Sequence, residues 1–226
     1  MEANYRSLEQ ELEAVKNRKV LWRKITAENL DVDYGLLLPR LLGSRLLDRL
    51  ESELEYFTGD LAKIFVYGKW HPIHRQQVAF GDTGLTYTFS GNTIPALKWT
   101  PVLLCVRDII TAVTGHYFNF VLINRYRDGS DHISEHRDDE RDLDPAAPIA
   151  SLSLGRARDF IFKHCDARKP EPYKRNVSTV KLVLEHGYLL MMNPPTNKMW
   201  YHSLPPRKNC HGVRVNLTFR KMVQPS

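Results

Sequence analysis

Residues 116–126, HYFNFVLINRY, read as a β-strand. β-branched and aromatic residues dominate, and counting by two sets Leu122, Asn124 and Tyr126 on one face. The same reading extends to PIASLSLG (148–155), DFIFKH (159–164), STVKLVLEHGYLLMM (178–192), MWYHSLP (199–205) and RVNLTFRK (214–221). Gly, Pro, Asn and Asp separate these runs, as turns require. Upstream the period changes. After Gly43, Leu46, Leu47, Leu50 and Leu54 fall on one helical face, and a second amphipathic helix is expected over Pro101–Thr114. Helices followed by many strands, without βαβ alternation, predict an α+β fold with an antiparallel sheet or a double-sheet barrel. Residues 1–20 read as a polar, flexible or helical lead-in that stays solvated. Residues 21–226 read as a single domain.

Bulk composition narrows the function classes. Of 226 residues, 42% are apolar and 26% charged, an ordinary globular balance. No apolar run reaches the roughly 18 residues of a membrane helix, so no membrane partner is expected. The Glu-rich start does not read as a secretory signal. Three widely spaced cysteines form no CxxC pair, which points to a reducing compartment and away from structural zinc. The net charge of +6 invites a polyanion such as nucleic acid, without requiring one.

A His-x-Asp pair on an extended segment places two metal ligands on one side. With a distant His it makes a facial triad that leaves positions open for a bidentate cosubstrate and dioxygen. Composition alone predicts about 0.6 such pairs by chance. The chain has two, His136-Arg137-Asp138 and His164-Cys165-Asp166, so one is expected to be a decoy. The second runs into the polar loop ARKPEPYKRN (167–176), where a solvated role is expected. The first follows the 118–126 strand across a short turn, with Asn124 and Tyr126 able to face the same cavity. For the third ligand the candidates are His202, late in the sheet, and His186 and His211, each in a turn.

The last strand sets Arg214, Asn216, Thr218 and Arg220 on one face and Val215, Leu217 and Phe219 on the other. An amphipathic edge strand gives the same pattern. Two Arg about 20 Å apart along one face also suit a small dicarboxylate, which guanidinium binds bidentately.

Together, NRY (124–126), HRDDE (136–140), PIASLSLG, YHSLP (201–205) and RVNLTFRK resemble the AlkB family of oxidative nucleic-acid demethylases, over roughly Trp22 to Lys221. EYFTG (55–59), YGKWH (67–71) and GLTYTFSG (84–91) resemble the animal nuclear branch that repairs double-stranded DNA. The resemblance implies a double-stranded β-helix, or jelly roll, at about 115–222, with N-terminal helices and a nucleotide-recognition lid at about 60–95. It implies Fe(II) on His136, Asp138 and His202. It implies 2-oxoglutarate on Asn124, Tyr126, Arg214, Asn216, Thr218 and Arg220, with O2 as the oxidant.

The resemblance further implies a base held by Tyr87, Phe89 and Ser90, with Asp139 and Glu140 at its edge. A finger of Val66, Tyr67 and Gly68 would fill the space of the flipped base. The family pattern carries Phe at the finger's centre; here Tyr67 can stack, but its hydroxyl needs a polar partner. Lys69, Arg75, Lys169, Lys174, Arg175, Arg207 and Lys208 are the candidate contacts to a DNA backbone.

The implied activity is oxidative demethylation of 1-methyladenine and 3-methylcytosine, with etheno adducts also accessible, and release of formaldehyde. An RNA or single-strand demethylase and a non-catalytic damage-binding module are the alternatives. A monomer in the nucleus is expected. KNRK (16–19) is a weak basic cluster and reads more readily as a charged helix end than as a nuclear address. The lead-in carries no clear clamp-binding motif, which leaves a sliding-clamp partner open.

Overall fold

The computed structural model describes residues 7–66 and 68–223, and of Val66 the backbone alone. Helix α1 (Leu8–Glu13) starts at a reciprocal cap in which Ser7 Oγ accepts from the Gln10 amide and Gln10 Oε1 accepts from the Ser7 amide. Strands β1 (Arg23–Ala27) and β2 (Leu30–Leu36) form a hairpin, and α2 (Arg40–Glu53) follows. Hairpin β3 (Lys63–Val66) and β4 (Lys69–Pro72) comes next, then β5 (Gln76–Gly81) and hairpin β6 (Thr86–Phe89) and β7 (Asn92–Pro95). The short β8 (Leu97–Lys98) leads into α3 (Pro101–Thr114). Thr100 caps α3 by accepting from the Leu103 amide, Pro101 opens it, and Gly115 at φ 74° ends it.

The remaining strands are β9 (Phe120–Tyr126), β10 (Ile133–His136), β11 (Ile149–Gly155), β12 (Arg158–His164), β13 (Val180–Leu184), β14 (Tyr188–Met192), β15 (Trp200–Leu204) and β16 (Arg214–Arg220), with a short helix α4 (Thr196–Met199) before β15. They close into two facing sheets. One has eight strands in the order β1-β2-β14-β11-β16-β9-β5-β8, and the other has four in the order β10-β15-β12-β13.

Alternation along the large sheet sorts its side chains into two cores. Val121 and Ile123 of β9, Leu152 and Leu154 of β11, Leu189 and Met191 of β14, and Val215, Leu217 and Phe219 of β16 pack with the leucines and isoleucines of α1, α2 and α3. Leu122 and Tyr126, Leu190 and Met192 turn the other way, onto Phe160, Phe162, Leu182, Leu184 and Trp200 of the small sheet. The expected jelly-roll architecture is what the chain adopts, with helices layered outside it.

Four expectations change. The lead-in is not a solvated appendage: Leu8 and Leu12 are buried in the core against α2 and α3. The large sheet is not confined to about 115–222, since β1, β2 and β5 belong to it: it reaches back to residue 23, and β5 lies within the lid region of about 60–95. Strand β16 is no edge strand; it lies between β11 and β9 with a seven-residue register to β9. His164 is not solvated but fully buried, its ring edge-on to Trp200 at 5.1 Å between centroids.

Candidate metal centre

Cross-strand register brings two histidines together. His136 ends β10 and pairs directly with His202 in β15, and their rings sit edge to face at 4.3 Å between centroids. Asp138 follows two residues later, so its carboxylate returns to the same side. Asp138 Oδ1 lies 3.6 Å from His136 Nε2 and 3.9 Å from His202 Nε2. The His136 Nδ1–H donates to the Ser134 carbonyl at 2.8 Å, which leaves Nε2 with its lone pair facing the cluster. The His202 ring lies over Phe160 at 5.3 Å between centroids, so packing fixes its plane.

Protonation states suit a cation. Burial and the neighbouring His136 push His202 down to about 3, against the pull of Asp138. Burial lowers His136 too, and again Asp138 opposes it. For Asp138, burial works against the charge, but Arg220 and the two histidines outweigh it and hold the carboxyl well below its usual range. Arg220 Nη2 donates to Asp138 Oδ2 at 2.7 Å. Two neutral imidazoles and one ionised carboxylate are the donor set of a two-His, one-carboxylate Fe(II) site.

The decoy behaves differently. His164, Cys165 and Asp166 also cluster, but Asp166 is held by Lys169 at 2.6 Å and Arg175 at 3.0 Å. Two cations already occupy the carboxylate that a metal would need.

On β16 the polar face lies opposite the apolar face that packs on the helices, on the side of the sheet that carries Leu122 and Tyr126. Arg214 Nη2 donates to Ser153 Oγ at 2.8 Å and to Asn216 Oδ1 at 3.1 Å, and Nη1 to the Leu184 carbonyl at 3.3 Å. Asn216 Nδ2 donates to Thr218 Oγ1 at 2.8 Å, and Ser151 Oγ donates to Asn216 Oδ1 at 3.1 Å. Register places Asn124 opposite Asn216 and Tyr126 opposite Arg214. Arg214 is 1% exposed, and among the described residues it has no carboxylate partner and its Nε is unpaired. A buried guanidinium of this kind fits a carboxylate ligand, as 2-oxoglutarate would supply. Ser151 and Ser153 were missed by sequence reasoning, although their spacing of two in β11 and their place opposite Thr218 and Asn216 make them one face of the pocket.

The lid reaches this centre through Tyr87. Its ring is buried, lies 5.1 Å from the Arg220 guanidinium and stacks on Phe89 at 5.4 Å. Its hydroxyl donates to Glu140 Oε1 at 2.7 Å. Burial, then the Asp138 charge, raises Glu140 to about 7. Ser90 is exposed in the β6–β7 turn at φ 43°. Asp139 lies apart from Glu140, half exposed and paired with Arg137 at 2.6 Å. Arg75 is half-buried and its Nε donates to Asn124 Oδ1 at 2.7 Å, so it faces the cosubstrate residues. In the finger, Gly68 takes φ 76° in open space at the β3–β4 turn and Lys69 is exposed. Tyr67 and the Val66 side chain lie outside the described residues. Of the proposed backbone contacts, Arg175 is spanned by Glu28 and Asp166, and Lys169 by Asp166.

A model of the 2OG-Fe(II) oxygenase superfamily matches residues 43–220. The chain is 57% identical over 202 residues to a DNA oxidative demethylase ALKBH2 of Mus musculus, covering 89% of this chain and 84% of that one. It is 56% identical over 202 residues to the protein of that name from Homo sapiens, covering 89% of this chain and 77% of that one. Among solved structures, "The structure of OsALKBH1" matches with TM-score 0.58 at 17% identity, covering 88% of this chain and 100% of that one, a likeness of fold. The chain therefore belongs to the 2OG-Fe(II) oxygenase superfamily, in its AlkB family, and is a dioxygenase that works with Fe(II), 2-oxoglutarate and O2.

Proposed function

We propose that this chain is a DNA oxidative demethylase that removes N-methyl groups from 1-methyladenine and 3-methylcytosine in double-stranded DNA, and acts on etheno adducts as well. The observation that carries the reading is the link from lid to metal: Tyr87 covers Arg220, Arg220 holds Asp138, and the Tyr87 hydroxyl ends on Glu140. A planar base entering beneath Tyr87 and Phe89 meets aromatic faces, a carboxyl group and the metal ligands at once. Relatives named DNA oxidative demethylase, matched over most of their length, support the same substrate class.

When bound, the iron centre couples 2-oxoglutarate and O2 to hydroxylation of the N-methyl carbon, giving succinate and carbon dioxide; the hydroxymethyl base then loses formaldehyde as its N–C bond breaks. The chain's own residues prepare that step. His136, Asp138 and His202 hold the metal, and Arg220 fixes the Asp138 carboxylate. Arg214, with Asn216 and Ser153, takes the distal carboxylate of the cosubstrate. Glu140, beside Tyr87, favours a cationic methylated base when ionised, whereas Asp139 is taken up by Arg137; the disrupted pairing of such a base lowers the cost of flipping it from the helix.

The two-residue tip of the β3–β4 hairpin, Tyr67-Gly68, serves in this reading as the finger that replaces the flipped base. In this reading the protein works in the nucleus, where genomic DNA lies, and as a monomer. The test compares formaldehyde release from 3-methylcytosine in duplex and single-stranded oligonucleotides of one sequence. Faster duplex turnover supports the proposal; a strong single-strand preference transfers the activity to the single-strand or RNA alternative.

A further inference from the structure

The buried arginines among the described residues are Arg158, Arg214 and Arg220. Arg220 is matched by Asp138. Arg214 faces the cosubstrate pocket. Arg158 has no role in the site so far. It opens β12, is 1% exposed, and no carboxylate oxygen of the described residues lies within salt-bridge distance of it. Its donors go to backbone carbonyls: Nη1 to Asp128 at 3.0 Å, and Nη2 to Asp131 at 2.9 Å and Pro205 at 2.8 Å. Its Nε has no partner. The nearby Asp131 carboxylate does not neutralise it, because Arg127 takes both of that carboxylate's oxygens at 2.7 and 2.9 Å.

Carbonyl dipoles satisfy the hydrogens of a guanidinium but leave its net charge in place. Burying a charge without a counter-charge is costly, and the cost is relieved only by a neighbour of opposite sign. The Arg158 guanidinium lies 5.9 Å from the centre of the Tyr126 ring, and Tyr126 is the cross-strand partner of Arg214. Two buried positive charges therefore act on the same Tyr126 ring, and no carboxylate of the described residues is paired with either of them; the Asp131 charge also reaches the ring, but Arg127 holds it. Burial, with the repulsion of Arg158 set against the pull of Tyr126, lowers Arg214 to about 10. The missing negative charge is one that a ligand can bring.

We propose that Arg158 is a specificity-determining charge, which with Arg214 makes the pocket select a dicarboxylic 2-oxo acid over a monocarboxylic one. It acts through the field at Tyr126 and Arg214 and not by touching the ligand. A guanidinium that merely clamps the 128–131 loop to Pro205 would do the clamping equally well for either ligand. The inference rests on the family's use of 2-oxoglutarate.

The test measures equilibrium binding by calorimetry, with Mn(II) in place of iron so that nothing turns over. Wild type, Arg158→Gln and Arg158→Lys are titrated with 2-oxoglutarate and with 2-oxovalerate, which has the same five carbons and one carboxylate fewer. Loss of the buried charge beside Tyr126, the cross-strand partner of Arg214, is expected to weaken 2-oxoglutarate about tenfold in Arg158→Gln, with 2-oxovalerate changed less than about twofold. Arg158→Lys, which keeps the charge and loses most of the three-carbonyl clamp, is expected to retain the preference within about threefold.

Equal weakening of both ligands in Arg158→Gln overturns the proposal. So does an Arg158→Lys variant that loses the preference as far as Gln does. If Arg158→Gln does not fold, the Lys variant decides alone: preference kept despite a lower Tm supports the charge, and preference lost assigns Arg158 to clamping. A wild type that binds neither acid instead contradicts the cosubstrate reading itself.

Discussion

Arg220 and Asp138, 82 residues apart in sequence, meet at 2.7 Å, each nearly excluded from solvent. That contact joins the strand carrying the cosubstrate residues to the metal. It also keeps Asp138 ionised where burial alone would favour its neutral form.

Removing the guanidinium should therefore be felt at the metal. Arg220→Met is expected to weaken Fe(II) or Mn(II) binding about 10- to 100-fold, the usual cost of losing a group that orients a ligand. Metal titration by calorimetry checks this, and unchanged affinity would separate Arg220 from the metal site.

The two His-x-Asp pairs make opposite predictions. His136→Ala is expected to abolish metal binding. His164→Ala should lower stability, because a buried ring against Trp200 is lost, while leaving metal binding within about threefold. Paired thermal melts and metal titrations read the two effects separately.

Tyr87→Phe removes the donor to Glu140 and keeps the ring over Arg220. The expected cost is about 1 kcal/mol at the base site, or about a fivefold rise in KM for methylated DNA. Turnover of 2-oxoglutarate without DNA should stay unchanged. A fall in that uncoupled turnover would place Tyr87 in the cosubstrate step.

Asp166 yields a pH test outside the metal centre. Hydrogen bonds from Lys169 and Arg175 pull its carboxyl down to about 2, from an ordinary 3.8. The folded pKa is the lower one, so the group stabilises the fold at pH above its unfolded value, and that contribution fades as pH falls from about 4 to about 2. Asp166→Asn should lower Tm near neutral pH, and the gap from wild type should close over that acid window. A gap that persists at low pH would assign the loss to packing.

How legible was this protein in its sequence? Helix α3 was readable to the residue, because Thr100, Pro101 and Gly115 mark its ends locally. Strand β16 was readable by its period of two, but its central place was not, since that depends on β11 and β9 arriving from elsewhere. Strand β1, RKITA, left no apolar alternation because four of its five residues are exposed; its partner β2 defines it. Leu8 and Leu12 looked like part of a solvated helix until α2 and α3 supplied their cover.

In the site, His136, Asp138 and His202 followed from motif and resemblance, and β10–β15 register brings them together. The Ser134 carbonyl, Ser153 and Arg158 were not visible. Each acts through a contact that only the closed sheets create.

Leu12→Ala tests whether α1 belongs to the core. Leu12 is fully buried, so the substitution is expected to cost about 2–4 kcal/mol, against less than about 0.5 kcal/mol for Leu41→Ala at an exposed position. Denaturant unfolding measures both, and an equal, small loss would return α1 to the status of a solvated lead-in.

The most direct test of the central claim is a mass-spectrometric assay on duplex DNA carrying 3-methylcytosine, with Fe(II) and with or without 2-oxoglutarate. Loss of 14 mass units from the modified base, matched mole for mole by succinate and formaldehyde and absent in His136→Ala, is the predicted result. A base left unchanged while 2-oxoglutarate binds the metal-loaded protein would contradict the account.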